Sequence, residues 1–239
     1  MQGITDVFRR VEQKYLLNSR QYEAIQAVVE PNMCPDAFGR STICGVYFDT
    51  PDRRLVRTSL EKPVYKEKLR LRTYGVPQAD SPAFVELKKK YKGVVYKRRI
   101  EMPYAEAFDW LCGGPPPAAD GQILQEITWF LQFYETLEPA AVLCYDRTAL
   151  YGREDKGLRI TFDEAIRWRG EDFDLQHGDA GARLISDGQA LMEVKTSGGM
   201  PIWLSDALCA LGIYPTSFSK YGLASRSAVR TDVPQKTAG

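Results

Sequence analysis

The sequence predicts an α+β fold, an antiparallel β-barrel of about eight strands with flanking helices. Strand-like segments follow one another through short turns that contain Gly, Pro or Asp. In most of these segments charged residues alternate with apolar ones, and several amphipathic helices need an apolar surface to pack against. Outward apolar faces on the strands would supply that surface, so we expect the charged faces to point into the barrel.

The first half of the chain predicts strands with one helix between them. Residues 8–17 alternate as a strand does, and the next segment, NSRQYEAIQAVVE, has helical spacing with a cap at Asn18 or Ser19. TICGVYFDTP predicts a strand that ends at a turn. Three further strands, VYKEKLRLRTYG, AFVELKKKYKG and VVYKRRIEM, form a meander whose last two members make a hairpin around Gly93.

The second half predicts helices at both ends of another run of strands. YAEAFDWLCGG indicates a short helix, and residues 121–137 indicate a longer amphipathic one. Three strands follow: AAVLCYDRTALYG, GLRITFDEAIRWR and ARLISDGQALMEVKTS. Two further helices are predicted before the tail, IWLSDALCALG and SFSKYGLASRSAV. We expect one domain over residues 1–230 and a flexible tail over residues 231–239.

Composition excludes several classes of protein. The 239 residues include 32 Lys plus Arg against 31 Asp plus Glu, so a basic site must come from arrangement and no nucleic-acid partner is expected. The five cysteines are scattered without a CxxC pair, which argues against a disulfide framework and a zinc site. The chain has no long apolar stretch, so we expect a soluble cytoplasmic protein without membrane insertion.

One segment, KEKLRLRTYG, shows the charge pattern most clearly. Lys66, Lys68, Arg70 and Arg72 occupy every second position and therefore share one face of the strand. Taken alone, this row is typical of a solvated outer face, but the same alternation recurs in six or seven strands. Burying so many unpaired cations would cost several kcal/mol each. The interior is therefore predicted to hold water and an anionic ligand, which a chain of phosphates fits.

Nine motifs in order along the chain strengthen this interpretation. They are RVEQKY (10–15), YFDTPD (47–52), KLRLRTYG (68–75), VELKKK (85–90), YKRR (96–99), YDRTA (145–149), LRITFD (158–163), MEVK (192–195) and SFSKYG (217–222). The sequence resembles the CYTH-like triphosphate tunnel metalloenzymes, and within them the polyphosphate polymerase domain of the vacuolar transporter chaperone (VTC) family, including its bacterial members.

The resemblance implies a set of residues that contact phosphate oxygens and carry catalysis. These are Lys14, Arg70, Arg72, Lys88, Lys97, Arg99, Arg147, Arg159, Lys195 and Lys220. It also implies a divalent metal, Mn²⁺ or Mg²⁺, on Glu193, with Glu12 and Glu86 as further candidates that are equally suited to be ion-pair partners. Asp163 is as well suited to hold an arginine as to bind metal, and Tyr47, Asp49 and Tyr145 are interpreted as packing and turn residues.

The implied activity is polyphosphate synthesis, in which the γ-phosphate of ATP is transferred to a growing inorganic polyphosphate chain. The implied partners are ATP and inorganic polyphosphate or pyrophosphate, and this activity is compatible with a membrane partner protein. Alternatives are a metal-dependent inorganic triphosphatase or nucleoside triphosphatase and a non-catalytic polyphosphate-binding module. Hydrolytic relatives carry a Glu-x-Glu-x-Lys pattern, and Arg10 stands here at its first glutamate, which disfavours water as the acceptor.

Overall fold

A computed structural model describes residues 11–61 and 63–231 of the chain. The strands within this range are β1 (Val11–Leu17), β2 (Met33–Asp49), β3 (Tyr65–Tyr74), β4 (Pro82–Tyr91), β5 (Val94–Pro103), β6 (Glu138–Gly152), β7 (Arg159–Arg169), β8 (Ala182–Arg183) and β9 (Ala190–Thr196). The helices are α1 (Ser19–Val29), α2 (Arg54–Leu60), α3 (Tyr104–Leu111), α4 (Gln122–Phe133), α5 (Ile202–Ala210) and α6 (Lys220–Thr231).

The strands form one sheet in the order β1-β9-β7-β6-β2-β3-β4-β5, and the short β8 pairs with β7. The neighbouring strands whose register is defined run antiparallel. The predicted α+β class with an antiparallel sheet and flanking helices is therefore confirmed. The path contains eight strands, as predicted, and within the described residues no ladder joins its two ends, β1 and β5.

The chain divides into two compact units, which are described separately. The first unit takes its described residues from 1–41, 146–165 and 185–218, and the second takes them from 42–145, 166–184 and 219–239. That the chain is a single domain over residues 1–230 stays a prediction. The described residues do not include residues 8–10, which begin the first predicted strand and contain Arg10. They also do not include residues 232–239 of the predicted tail.

In the first unit, α1 and α5 cover the apolar face of the strands. Asn18 caps α1 because its side chain accepts the backbone N–H of Gln21 at 2.9 Å, while the Gln21 side chain accepts the Asn18 N–H at 3.2 Å. The core residues that the helices and strands share are Ile25, Val29, Leu204, Leu208, Tyr15, Leu17, Ile160, Phe162, Met192 and Val194.

In the second unit, the apolar face of β3 and β4 packs against α3 and α4. Leu69 and Leu71 are fully buried there, and their neighbours in the sequence lie on the opposite face. The helix side chains in this core are Tyr104, Ala107, Trp110, Leu111, Leu124, Ile127 and Phe130. In both units the apolar strand faces meet helices, as the sequence predicts.

Three elements differ from the sequence prediction, and one of them is the predicted strand ARLISDGQALMEVKTS, which the structure divides into β8 and β9. β2 begins at Met33, nine residues before the predicted strand, although Gly39 within it has the left-handed φ of +54° that interrupts a regular strand. Helix α2 was not predicted, because its segment RLVRTSL is short and no side chain at Arg53 caps it. In residues 11–61 and 63–231, none of the helices could span a lipid bilayer.

Candidate active site

In the second unit, strand register brings predicted site residues of three strands into one row. Tyr47 of β2 lies opposite Arg70 of β3, Arg70 opposite Glu86 of β4, and Glu86 opposite Arg99 of β5. Residues directly opposite in antiparallel strands project to the same face of the sheet. The polar face of this unit therefore presents cations on neighbouring strands around one carboxylate.

Glu86 is the centre of this arrangement. Its Oε2 accepts hydrogen bonds from Arg70 Nε at 2.7 Å and lies 2.6 Å from Arg70 Nη2. Its Oε1 lies 2.9 Å from Arg72 Nη2 and 2.7 Å from Lys97 Nζ. Burial raises the pKa of Glu86, but the charges of Arg70 and Arg72 and the Lys97 contact outweigh burial and lower it to about 2. Glu86 is therefore ionised throughout the neutral range.

Three cations around one buried carboxylate leave an excess of positive charge on this face. Burial lowers the pKa of Lys97 and of Arg72, whose Nε is buried without a hydrogen-bond partner among the described residues. An anion bound here would stabilise the charged forms of Lys97 and Arg72 and could accept a hydrogen bond from Arg72 Nε. The same surroundings favour Glu86 as an ion-pair partner over Glu86 as a metal ligand, since a metal would have to displace these cations.

The remaining predicted cations of the second unit lie around this centre. Lys68 donates to Ser219 Oγ at 3.3 Å, and the Lys220 ammonium, at the first position of α6, lies 4.6 Å from the centre of the Tyr145 ring. Lys88 is exposed and lies opposite Lys97 in the register. The exposed Arg99 packs its guanidinium on the Phe84 ring at 3.5 Å. The predicted cations on the strands of this unit therefore share one face of the sheet, and Lys220 lies beside Tyr145 at the start of α6.

In the first unit, the predicted site residues other than Arg147 occupy two adjacent rows on β1, β9 and β7. Lys14, Glu193 and Thr161 lie opposite one another in the first row. The second row contains Glu12, Lys195 and Arg159. This register places two carboxylates and three cations on one face of the unit.

Glu193 contacts one cation of each row and Arg147 of β6. Its Oε1 lies 3.4 Å from Lys14 Nζ, and its Oε2 lies 3.4 Å from Lys195 Nζ and 3.9 Å from Arg147 Nη2. Glu12 reaches the same two ammonium groups, at 3.6 Å for Lys14 and 3.8 Å for Lys195. Lys14 also donates to the backbone carbonyl of Phe218 at 3.2 Å. The two carboxylates thus face a common position.

Glu12 and Glu193 fit a divalent metal whose remaining ligands would be phosphate oxygens and water. Mg²⁺ in phosphoryl-transfer sites is usually held by one or two carboxylates together with substrate oxygens and water. The Oγ1 of Thr161, beside Glu193 in the register, is buried without a hydrogen-bond partner among the described residues. Three or more His, Cys, Asp or Glu side chains that could enclose a metal unaided do not occur together in residues 11–61 and 63–231.

Two contributors to these clusters were not assigned by the sequence. Asp163 is buried and binds Arg147 through two hydrogen bonds, which decides for the arginine-holding alternative. Tyr47 accepts a hydrogen bond from Arg70 Nη1 at 3.2 Å. Alternation places Tyr47 on the polar face of its strand, but the partner across the ladder depends on register, which one strand does not encode.

The family is decided by a match that spans both clusters. The family profile of the VTC domain matches residues 9–229. The chain belongs to the VTC domain family. The resemblance inferred from the nine motifs is thereby confirmed for the VTC chain. No curated protein matches its sequence.

Solved structures support the fold of the VTC chain. A candidate adenylate cyclase from Bacillus halodurans has 13% identity and a TM-score of 0.55, over 88% of this chain and 93% of that one. The candidate adenylyl cyclase HpAC1 from Hippeastrum, with a dominant triphosphatase activity, has 15% identity and a TM-score of 0.51, over 91% of this chain and 96% of that one. At these identities the likeness shows a shared fold.

Proposed function

We propose that the VTC chain is a polyphosphate polymerase that transfers the γ-phosphate of ATP to an inorganic polyphosphate chain. The observation that carries the proposal is the cluster of three cations, Arg70, Arg72 and Lys97, around Glu86. Arg70 and Arg72 are fixed on that carboxylate, and Lys97 stands beside them. Guanidinium groups held in place present N–H donors to phosphate oxygens without further loss of side-chain freedom.

Phosphoryl transfer needs positioning and charge neutralisation more than covalent chemistry from the protein. Within each unit the cations bind phosphate oxygens, and those of the first unit include Lys14, Arg147 and Lys195. A terminal oxygen of the acceptor chain forms a bond to the γ-phosphorus, and the bond from that phosphorus to the β,γ-bridging oxygen breaks. ADP leaves with the bridging oxygen, and the chain gains one phosphate. The acceptor oxygen is already ionised, so no general base is required.

Glu193 and Glu12 are the residues that would hold Mn²⁺ or Mg²⁺. A bound divalent ion neutralises charge on the phosphate oxygens. Independently of the ion, Lys14 and Lys195 pair with both carboxylates and reduce their repulsion of an incoming polyanion. Glu86 has no place in this ligand set, because its three cations lie 2.6–2.9 Å from its oxygens, whereas the cations around Glu193 lie 3.4–3.9 Å away.

The second candidate is a triphosphatase with water as the acceptor. The paired carboxylates Glu12 and Glu193 favour it, because a carboxylate beside a bound triphosphate could accept a proton from water. The Hippeastrum protein of the same fold has a dominant triphosphatase activity. Against it stands Arg10 at the position of the first glutamate in the hydrolytic pattern.

Product analysis separates the candidates. Purified protein is incubated with ATP and Mn²⁺ or Mg²⁺, with and without pyrophosphate as primer, and the products are resolved on gels alongside an assay of free phosphate. Long phosphate chains with equimolar ADP are expected, and Arg70→Ala should abolish them while Arg226→Ala, an exposed position on α6, should not. Free phosphate without chains would replace the polymerase by the triphosphatase. Tripolyphosphate binding without turnover would indicate a non-catalytic binding module.

A further inference from the structure

Tyr47 connects the cationic row of the second unit to α6. Its hydroxyl accepts a hydrogen bond from Arg70 Nη1 at 3.2 Å, on the side of the guanidinium away from Glu86. Its ring stacks on the ring of Tyr221, with centroids 4.7 Å apart and an interplanar angle of 20°. Tyr221 is the residue directly after Lys220 on α6. One aromatic side chain therefore contacts both a phosphate-binding strand and the helix that carries another predicted cation.

The contacts of Arg70 determine which of its donors a ligand meets. An arginine has five N–H donors in a fixed planar fork. Nε and Nη2 of Arg70 are directed at Glu86, and Nη1 donates to Tyr47. One N–H remains on each terminal nitrogen, so the guanidinium presents these two in a fixed direction. Without the Tyr47 hydroxyl, only the Glu86 side of the group would be held.

The Tyr221 ring that stacks on Tyr47 is fixed by a buried hydrogen bond. The Tyr221 hydroxyl donates to Asp49 Oδ2 at 2.7 Å, and Asp49 is fully buried. The same carboxylate accepts the backbone N–H groups of Leu55 and Val56, at 2.8 and 3.0 Å, and so fixes the first turn of α2. The stacked tyrosine pair therefore rests on a rigid support.

We propose that Tyr47 is a positioning residue of the phosphate site, which aims the Arg70 guanidinium at the substrate through its hydroxyl. This inference rests on the proposed function in one respect, namely that Arg70 binds phosphate. It assigns to Tyr47 a role that packing alone would not require, because the ring could stack on Tyr221 without its hydroxyl.

The charges around the Tyr47 hydroxyl agree with this role. Burial raises the pKa of a phenol, but the cations Arg70 and Lys68 of β3 and Lys220 of α6 outweigh burial and lower the pKa of Tyr47. A positive field favours electron density on the phenol oxygen and so strengthens it as an acceptor for Arg70. Tyr221, the other titratable group in contact, keeps a raised pKa through burial and Asp49.

A double-mutant cycle tests whether Tyr47 acts through Arg70. Tripolyphosphate affinity is measured by calorimetry for wild type, Tyr47→Phe, Arg70→Ala and the double variant. Tyr47→Phe should weaken binding about three- to tenfold in the wild-type background and have almost no effect once Arg70 is alanine. An equal loss in both backgrounds, or no loss in either, would overturn the inference.

Tyr104→Phe is a matched control for the loss of a buried tyrosine hydroxyl. Tyr104 is fully buried, stacks on Phe108 and donates to Asp174 at 2.9 Å, but it lies in the core beneath the apolar face. It should lower thermal stability and leave tripolyphosphate affinity unchanged. If Tyr47→Phe behaved in the same way, its role would be structural only. If wild type failed to bind tripolyphosphate at all, the proposed function would fall together with the inference.

Discussion

Arg147 binds Asp163 through two parallel hydrogen bonds, from Nε to Oδ1 at 2.6 Å and from Nη2 to Oδ2 at 2.7 Å. Asp163 is fully buried, so its charge depends on this partner. Arginine alone among the cationic side chains matches a carboxylate in this planar, two-point manner. The pair therefore fixes the position of Arg147 on the polar face of the first unit.

Replacing Arg147 by lysine keeps the charge and removes the two-point contact. We expect Arg147→Lys to lower the free energy of unfolding by about 1–3 kcal/mol and tripolyphosphate affinity by about tenfold. Urea denaturation and calorimetry measure the two effects. Arg40→Lys is the control, because Arg40 is exposed and lies 3.7 Å or more from its carboxylate partners. Similar behaviour of the two variants would contradict a special role for the Arg147 pair.

Glu193→Gln should abolish metal-dependent turnover while the protein stays folded. The substitution keeps the size of the side chain and removes the charge that Lys14, Lys195 and Arg147 approach. Turnover against Mn²⁺ concentration, and the shift of the thermal midpoint that Mn²⁺ produces, are the measurements. Glu12→Gln, at a more exposed carboxylate, should weaken the metal effect without removing it. Full metal-dependent activity in Glu193→Gln would remove this metal assignment.

Glu86 should make stability depend on acid pH. Its pKa is about 2 in the folded protein and near 4.5 in the unfolded chain, so the unfolded state takes up a proton first as pH falls. The stabilisation, about 3 kcal/mol, is present above pH 4.5 and is lost as pH falls toward 2. Urea denaturation at stepped pH measures it.

Glu86→Gln should remove that part of the acid dependence and destabilise the protein at neutral pH, because Arg70, Arg72 and Lys97 lose their shared partner. Glu126→Gln is the comparison, since Glu126 pairs with Arg98 at the surface and should change little. A pH profile that Glu86→Gln leaves unchanged would show that the cation cluster does not depend on Glu86.

Lys220→Ala should weaken tripolyphosphate binding about three- to tenfold and reduce the dependence of binding on salt. The ammonium of Lys220 lies over Tyr145, and the preceding Ser219 contacts Lys68, so the start of α6 belongs to the cationic face. Arg226→Ala, at an exposed position six residues further along the same helix, removes an equal charge and should leave binding intact. Calorimetry at two salt concentrations decides, and equal losses in both variants would indicate only a general charge effect.

Period-two alternation was sufficient to assign the faces of the strands. In β3 it placed Leu69 and Leu71 against helices and Arg70 and Arg72 on the polar face, as the structure has them. The turn at Lys92 and Gly93 was also legible, because both residues need left-handed φ angles, here 46° and 86°, and glycine adopts them freely. Local rules decide such features, so one sequence contains them.

Contacts between elements could not be predicted from the sequence in the same way. Whether Glu86 binds metal or cations depends on the registers of β3, β4 and β5, which align it with Arg70 and Arg99. Helix α2 is likewise fixed from outside its own segment, since the carboxylate of Asp49 accepts the N–H groups of its first turn. Tertiary contacts decide both features, and the pattern of a single segment carries no record of them.

The contact between Lys14 and the carbonyl of Phe218 joins residues separated by most of the sequence. A ribosome makes Lys14 before Phe218, so the nascent chain lacks this contact until residue 218 has been added. A shortened product that stops before Phe218 would therefore contain Lys14 without the carbonyl that accepts its ammonium group.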